Sequence, residues 1–180
     1  MTEMQKANTA RLDAALDGQT AIVRVFGRAT FAVAADLKQF GASAMRHGCR
    51  RLALDVENCE TMDSTFIGVM TGLAVRLKQS GGAGVFVLNL SEKNRDILQT
   101  LGVDRILQCH LAGAAPDDLR ELLRRTTEYC PLLHAAQDQQ AAATNMLEAH
   151  DTLIDADPDN LMKFKDVVDY LRRDLKGKEQ

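Results

Sequence analysis

The stretch Met62-Asp63-Ser64-Thr65-Phe66-Ile67-Gly68 lies between a strand-like run that ends at Val56 and a helix-like run that ends near Gln79. This order places the hydroxyl of Ser64 at the start of a helix, where backbone N–H groups and the helix dipole favour an anion. A phosphate on Ser64 would therefore be tolerated and would change the local charge strongly. The stretch predicts a phosphorylation site at Ser64, with a plain helix cap as the alternative.

The sequence on either side alternates between strand-like and helix-like segments. Runs of β-branched and other apolar residues predict strands at 21–26, 52–56 and 85–90, and a last short strand at 103–108. Apolar residues at helical spacing predict helices at 31–47, 64–79 and 92–101. Thr30 and Ser91 are suited to cap the first and third of these helices. The alternation predicts an α/β fold, a sheet with helices packed on it.

Asp55 interrupts the otherwise apolar strand at 52–56. One interpretation places it at the end of the strand, in solvent or capping the next loop. The other places it beside Ser64, where it would tune the site. Both interpretations stay open at the level of sequence.

From Ala114 onward the pattern is helical only. Pro116-Asp117-Asp118 is typical of a helix start, and Asp157-Pro158 is typical of another. Between them, a helix from about 135 to 154 is expected to have one apolar stripe, formed by Ala143, Leu147, His150 and Ile154. We expect the last two helices to form an antiparallel hairpin. It could dimerise the protein, cover the sheet or dock a partner.

Composition excludes several functional classes. The 180 residues are 46% hydrophobic, and the net charge is −3 with no basic cluster of the kind that binds nucleic acid. No apolar run approaches the roughly 20 residues of a membrane span. The polar N-terminus at 1–8 does not resemble a signal peptide. We therefore expect a cytoplasmic protein that neither contacts nucleic acid directly nor spans a membrane.

The cysteines and histidines give no sign of a metal centre or an active site. Cys109, His110, Cys130 and His134 lack the spacing of a zinc site, because adjacent Cys and His side chains chelate one ion poorly. No nucleophile-and-base pairing is visible, and the scattered histidines are expected to be ordinary ones. The chain is therefore expected not to be an enzyme and to bind no cofactor and no metal.

The order of elements and the Asp-Ser pair before the second helix resemble the STAS domain, named after sulfate transporters and anti-sigma factor antagonists. The resemblance covers about Leu12 to Leu111. It is carried by Val25-Phe26-Gly27-Arg28, Leu54-Asp55-Val56, the Met62–Gly68 stretch, and Gly102-Val103-Asp104-Arg105-Ile106-Leu107. It implies a STAS domain with a mixed sheet at 11–112 and a helical extension at 113–180. Family members have Asp-Ser-Ser/Thr-Gly-x-Gly at the switch, whereas this chain has Phe66 at the middle glycine.

Within the family, this pattern is similar to the anti-sigma factor antagonist branch. The resemblance implies that a bacterial anti-sigma factor acting as a serine kinase phosphorylates Ser64, and that a PP2C-like serine phosphatase reverses the reaction. It implies that the unphosphorylated domain binds the anti-sigma factor and frees a sigma factor in a stress response. The partner contacts are expected at Asp63, Thr65, Phe66, Ile67, Gly68, Val69, Arg28 and Thr30, and a homodimer through the C-terminal helices is a further expectation.

Two questions stay open in the sequence. Phe66, Val69 and Leu73 lie off the stripe that should face the sheet, so they are either exposed to a partner or packed under neighbouring elements. The second question is the role of the STAS domain. Instead of an anti-sigma factor antagonist, the protein could be a scaffold or sensor subunit in a stress-signalling or membrane-lipid transport assembly, without an anti-sigma partner.

Overall fold

The structure, a computed structural model, describes residues 10–133 and 138–177. Within these residues the strands are β1 (Arg11–Asp17), β2 (Thr20–Ala29), β3 (Arg51–Asp55), β4 (Cys59–Met62), β5 (Gly84–Leu90), β6 (Gln108–Leu111) and β7 (Cys130–Pro131). The α-helices are α1 (Phe31–Arg46), α2 (Ser64–Gln79), α3 (Glu92–Thr100), α4 (Asp117–Arg125), α5 (Gln139–Ala156) and α6 (Asn160–Gly177).

The strands form one mixed sheet in the order β6-β5-β3-β2-β1-β7, and β4 pairs with the end of β2. Strands β2, β3, β5 and β6 are parallel, whereas β1 pairs antiparallel with both β2 and β7. Strand β2 pairs with β4 from Gly27 onward, and the register of this pairing shifts between Gly27 and Arg28. Strand β4 therefore ends beside the end of β2, and α1 and α2 begin close together. The predicted mixed α/β fold is confirmed.

Three strands were not expected from the sequence, namely β1, β4 and β7. The strand predicted at 103–108 is wrong, because Val103–Arg105 forms a 3-10 turn and the strand begins only at Gln108. Gly102 has a φ of 66°, a left-handed conformation that ends the preceding helix and starts this turn. The 3-10 turn thus connects α3 to strand β6.

The sheet is covered on both faces, as the mainly apolar character of β3 predicts. The main core contains Leu54 of β3, Val87 of β5 and apolar residues from α1 and α2. The smaller core on the other face joins Leu119 and Leu122 of α4 to the sheet. The helix expected at Pro116-Asp117-Asp118 is therefore confirmed, and it covers the second face.

The C-terminal helices α5 and α6 pack on each other, and α5 lies against α2. His150 of α5 packs edge-to-face on Phe164 of α6, with ring centroids 4.8 Å apart. Ala149 and Leu153 of α5 belong to the main core of the domain. Of the three expected roles, the structure shows a covering one, although α5 covers chiefly α2 and not the sheet. None of the helices in the described part of the chain is long and apolar enough to cross a membrane.

The buried face of α5 differs from the predicted stripe. Leu147 and Ile154 are only half-buried, and the buried residues are Ala143, Ala149, His150 and Leu153. The predicted stripe is right for Ala143 and His150 and wrong for Leu147 and Ile154, because α5 turns Ala149 and Leu153 toward the domain instead. The expected helix start at 135 lies outside the described residues. Asp138 precedes the first described turn and accepts the backbone N–H of Ala141 at 2.7 Å.

Candidate functional site

Asp63 joins the beginnings of two helices. One carboxylate oxygen accepts the backbone N–H of Phe66 at 2.8 Å, which caps α2. The other accepts the backbone N–H of Phe31, the first residue of α1, at 2.7 Å. The N–H of Asp63 itself donates to the carbonyl of Ala29 at 2.9 Å, which holds the loop against the end of β2. One side chain thus satisfies the unpaired N–H groups of two helix starts.

Ser64 is the first residue of α2 and not its cap, so the plain-cap interpretation of this serine is wrong. Its side chain instead faces the C-terminal helices. Ser64 Oγ lies 2.9 Å from Nε2 of His150, and Nδ1 of His150 lies 2.7 Å from the carbonyl oxygen of Met146. A carbonyl oxygen can only accept, so Nδ1 carries a proton. In the neutral ring Nε2 is then an acceptor, and Ser64 donates to it.

His150 is only 5% exposed, whereas Ser64 is half-buried. The imidazole is held by the Met146 carbonyl on one side and by the ring of Phe164 on another. It is a fixed acceptor built into the interface between α2 and α5. The hydroxyl of Ser64 is therefore oriented by the C-terminal extension.

Sequence reasoning missed this pairing, because His150 was expected to be an ordinary histidine and no base for Ser64 was found. The two residues are 86 positions apart, so no local spacing links them. The available signal was the placement of His150 on the apolar stripe of a helix. A polar ring on such a stripe needs a hydrogen-bond partner when it is buried.

The residues that follow Ser64 are buried. Phe66 and Ile67 have 0% exposure, Val69 has 7%, and Thr65 and Gly68 are also buried. Phe66, Val69 and Leu73 are therefore packed under neighbouring elements, not exposed as one interpretation expected. Their role in partner binding stays a prediction.

The exposed part of the site comes from the end of β2 and the start of α1. Arg28 and Phe31 are exposed, and Phe31 has 53% of its surface accessible. Thr30 is half-buried and caps α1, as predicted, by accepting the N–H of Ala32 at 3.4 Å. With Asp63 and Ser64, these residues form a rim that a protein partner can reach.

Asp55 lies at the end of β3 and caps the following loop. Its carboxylate accepts the N–H of Glu57 at 3.3 Å and the side-chain amide of Asn89 at 2.9 Å. Arg24 is 3.8 Å away. The strand-end interpretation of Asp55 is confirmed, although the residue is buried and not in solvent.

An open groove of about 300 Å³ lies between α1, α2 and α5. It is lined by Lys38 and Arg76 on one side and by Glu148, Asp151 and Asp155 on the other, and Ser64 does not line it. Lys38 bridges the groove by donating to Asn145 and Glu148 of α5. The charged groups of the groove are thus used, at least in part, to hold α5 on the domain.

Within the described residues, no group of three or more His, Cys, Asp or Glu side chains is placed to hold a metal ion. Of the four residues considered for zinc, His134 lies outside the described residues.

A model of the family described as "Mlab, STAS domain" matches residues 12–108, more than half of the chain. No curated protein has significant sequence similarity to the chain.

Several solved structures have a similar fold, among them two anti-sigma factor antagonists. One is the Bacillus anti-sigma factor antagonist SpoIIAA in its unphosphorylated form, with 19% identity and a TM-score of 0.51 over 65% of this chain and 99% of that chain. The other is an anti-sigma factor antagonist from Mycobacterium paratuberculosis, with 16% identity and a TM-score of 0.52 over 64% of this chain and 95% of that chain. The similarity covers nearly the whole length of the two solved proteins, but about a third of this chain has no counterpart in them. The match to the family model shows that the chain belongs to the STAS family, and its fold is similar to that of solved anti-sigma factor antagonists.

Proposed function

We propose that this protein is a phosphorylation-switched interaction module of a bacterial partner-switching pathway, and that it is not itself an enzyme. The unphosphorylated form binds an anti-sigma factor that is also a serine kinase, and so releases a sigma factor. Phosphorylation of Ser64 ends that binding. The observation that carries the proposal is that Asp63, not Ser64, caps α2. The serine hydroxyl therefore has no capping role, although it sits at a helix start in a STAS domain.

The physical effect of the modification would be local. A phosphoserine carries about −1.5 to −2 charges at pH 7. At the start of α2 this charge gains about 0.3–1 kcal/mol from the helix dipole, so the fold should survive. A partner that packs on the rim of Arg28, Thr30, Phe31 and Asp63 would then meet two adjacent negative groups. An unpaired charge in such an interface opposes binding.

The remaining partners follow from the same proposal. A PP2C-like serine phosphatase would restore the hydroxyl, and the pathway would operate in the cytoplasm. A homodimer through the C-terminal helices is supported by exposed apolar side chains on α6, where Met162 is 83% exposed and Tyr170 66%. Analytical ultracentrifugation of wild type and of Met162→Glu/Tyr170→Glu tests this part. A wild-type monomer at high concentration would refute it.

The first test is peptide mass spectrometry of the protein from its native cells, with and without phosphatase treatment. We expect a phosphate on Ser64 that the phosphatase removes and whose occupancy changes with stress. Ser64 that is unmodified under every growth condition would contradict the switch.

The second test compares variants in binding to the anti-sigma kinase. Ser64→Ala should keep the fold and lock binding on, and Ser64→Asp should weaken binding by at least about tenfold, or roughly 1.4 kcal/mol. Ser91→Asp is the control, because Ser91 is an exposed serine at another helix start, where it is the N-cap of α3. Equal binding by all three variants would exclude a role for charge at Ser64.

A second candidate function is a constitutive scaffold or sensor subunit in a stress-signalling or membrane-lipid transport assembly. It is favoured by the burial of Phe66, Ile67 and Val69, since a surface already covered cannot bind and release a partner without movement of α5. Binding that is insensitive to both Ser64→Ala and Ser64→Asp, in a protein with no phosphate on Ser64, would select this candidate.

A further inference from the structure

Ser64 and His150 have the arrangement of a nucleophile and its base. The hydroxyl proton points from Oγ to Nε2 across 2.9 Å, within the range required for proton transfer. Nδ1 of the same ring donates to the Met146 carbonyl at 2.7 Å, which fixes the tautomer that leaves Nε2 free to accept. This is the order of contacts that activates a serine: hydroxyl, imidazole, and a third group that orients the imidazole.

The surroundings favour the same chemistry. His150 is 5% exposed and held edge-on by Phe164, so its position is set by packing. Ser64 is half-buried, and its proton is directed inward to α5. Since Asp63 caps α2, the hydroxyl is not engaged with the helix backbone. The helix start also favours negative charge that develops on Oγ during attack.

We propose that His150 is the general base for modification of Ser64, which makes this C-terminal extension part of the phosphoacceptor site. The inference rests on the proposed phosphorylation of Ser64. Oγ attacks the γ-phosphorus of a nucleoside triphosphate held by the partner kinase, and a new O–P bond forms. The bond from the γ-phosphorus to its bridging oxygen breaks, and the nucleoside diphosphate leaves with that electron pair. The hydroxyl proton passes to Nε2 of His150.

The product places an imidazolium next to a phosphoserine. Opposite charges at this distance attract strongly when they are partly buried. Phosphorylation would therefore hold α5 on α2. Amide hydrogen exchange in α5 should slow in the phosphorylated full chain, and faster exchange would overturn this part of the proposal.

The decisive experiment needs no kinase. The full-length protein is treated with diisopropyl fluorophosphate, a small phosphorus electrophile that an activated serine attacks with loss of fluoride. Peptide mass spectrometry follows the modification of each serine over time. We expect labelling of Ser64 and none of Ser91, an exposed serine that caps α3. Absence of labelling at Ser64 would overturn the proposal.

His150→Gln separates a base from a structural hydrogen bond. The amide oxygen of the introduced glutamine can accept a hydrogen bond from Ser64, but it is not basic enough to take the proton. Because general bases contribute about 10²–10⁴-fold, labelling of Ser64 should slow by at least about tenfold while the thermal midpoint stays close to that of wild type. His47→Gln is the matched control, because His47 is exposed and its Nδ1 bonds only a carbonyl of its own helix, Ser43. Equal labelling rates in the two variants would overturn the proposal.

If His150→Gln does not fold, the wild-type protein still decides the question. The nitrogen NMR shifts of the His150 ring report which nitrogen carries the proton, and we expect an unprotonated Nε2. A proton on Nε2 of the neutral ring would exclude the base role.

Comparison with phosphorylation in native cells distinguishes this inference from the proposed function. Wild type and His150→Gln phosphorylated equally at Ser64 would overturn the inference and leave the function standing. The opposite result is also possible: the reagent labels Ser64 in a way that depends on His150, but Ser64 carries no phosphate in native cells. This result would support His150 as a general base and would overturn phosphorylation of Ser64 by a kinase.

Discussion

Helix α2 approaches α5 so closely that a β-carbon on Gly68 would lie 2.4 Å from the carbonyl oxygen of Ala149. Real β-carbons do not come this near to a backbone atom. Gly68, the last residue of the Asp-Ser-Thr-Phe-Ile-Gly motif, is thus required by the packing of the C-terminal extension. The contact also brings the backbone of α5 near enough for His150 to reach Ser64.

Gly68→Ala should push α5 away from α2. We expect a loss of about 1–3 kcal/mol in the free energy of unfolding, as for other overpacked sites, and faster amide hydrogen exchange in α5. Urea denaturation and exchange mass spectrometry measure the two effects.

Gly72→Ala, one helical turn later, is the matched control. A β-carbon there would lie 3.8 Å from the nearest atom of Thr152, an ordinary contact. This change should leave α5 in place and, because alanine favours helices, stabilise α2 by about 0.5–1 kcal/mol. Equal effects of the two substitutions would contradict the close crossing.

Removal of the Asp63 carboxylate should destabilise two helices at once. One N-cap side chain contributes about 0.5–2 kcal/mol, and Asp63→Ala removes the acceptor for both Phe66 and Phe31. The comparison is Ser91→Ala, which removes a single cap bond, from the N–H of Asn94. Chemical denaturation should show a larger loss for Asp63→Ala. A loss no greater than that of Ser91→Ala would mean that only one of the two Asp63 bonds matters.

The corner between α5 and α6 depends on Asn160. This side chain is 0% exposed, and its amide donates to the carbonyls of Leu101 at 2.9 Å and Leu153 at 2.8 Å. Asn160→Ala should cost about 1–3 kcal/mol, because a buried acceptor loses its donor. Asn160→Asp should cost more, since a carboxylate cannot donate to a carbonyl.

Lys163→Ala provides the control for this corner. The exposed ammonium of Lys163 donates to Asn160 and to the carbonyl of Thr100, but its loss leaves both amide bonds of Asn160 intact. Thermal unfolding should rank the variants with Asn160→Asp least stable and Lys163→Ala closest to wild type. A reversed order would contradict the anchoring role of Asn160.

Cys109 should be unreactive at neutral pH. Burial, with a smaller contribution from the charge of Asp104, raises the pKa of its thiol to about 11. At pH 8 only roughly one molecule in a thousand would carry the thiolate that reacts with iodoacetamide. Cys130 is exposed, and peptide mapping should show it alkylated much faster. Equal rates at the two residues would contradict the raised pKa of the half-buried Cys109 thiol.

The same pKa shift predicts a pH dependence of stability. The folded state holds the proton of Cys109 more tightly than the unfolded state does. This contribution is fully present below the ordinary thiol pKa and is lost as the pH rises toward about 11. Between pH 8 and 11, the free energy of unfolding should therefore fall more for wild type than for Cys109→Ala. Parallel plots of this free energy against pH would contradict the prediction.

The sequence predicted those helices and strands whose own residues have a strong preference for that structure. Helices α1 and α2 and strands β3 and β5 follow from apolar periodicity and β-branched content. Strand β1 was missed because Arg-Leu-Asp-Ala-Ala-Leu-Asp at 11–17 has no β-branched residue, and its extended form depends on pairing with β2. Strands β4 and β7 are too short to carry a pattern, with four and two residues.

The sequence alone determined the family, the placement of Ser64 at a helix start and the presence of helices after Ala114. Each of these depends on neighbours along the chain. Only the tertiary structure decided that Asp63 caps two helices, that α5 presents its small residues to Gly68, and that His150 accepts the hydroxyl proton of Ser64. Apart from the local bond between Asp63 and Phe66, these contacts join residues 32 to 86 positions apart. They exist only where helix packing brings the groups together, and a hydrogen bond tolerates errors of only a few tenths of an ångström, which no periodicity in a sequence can specify.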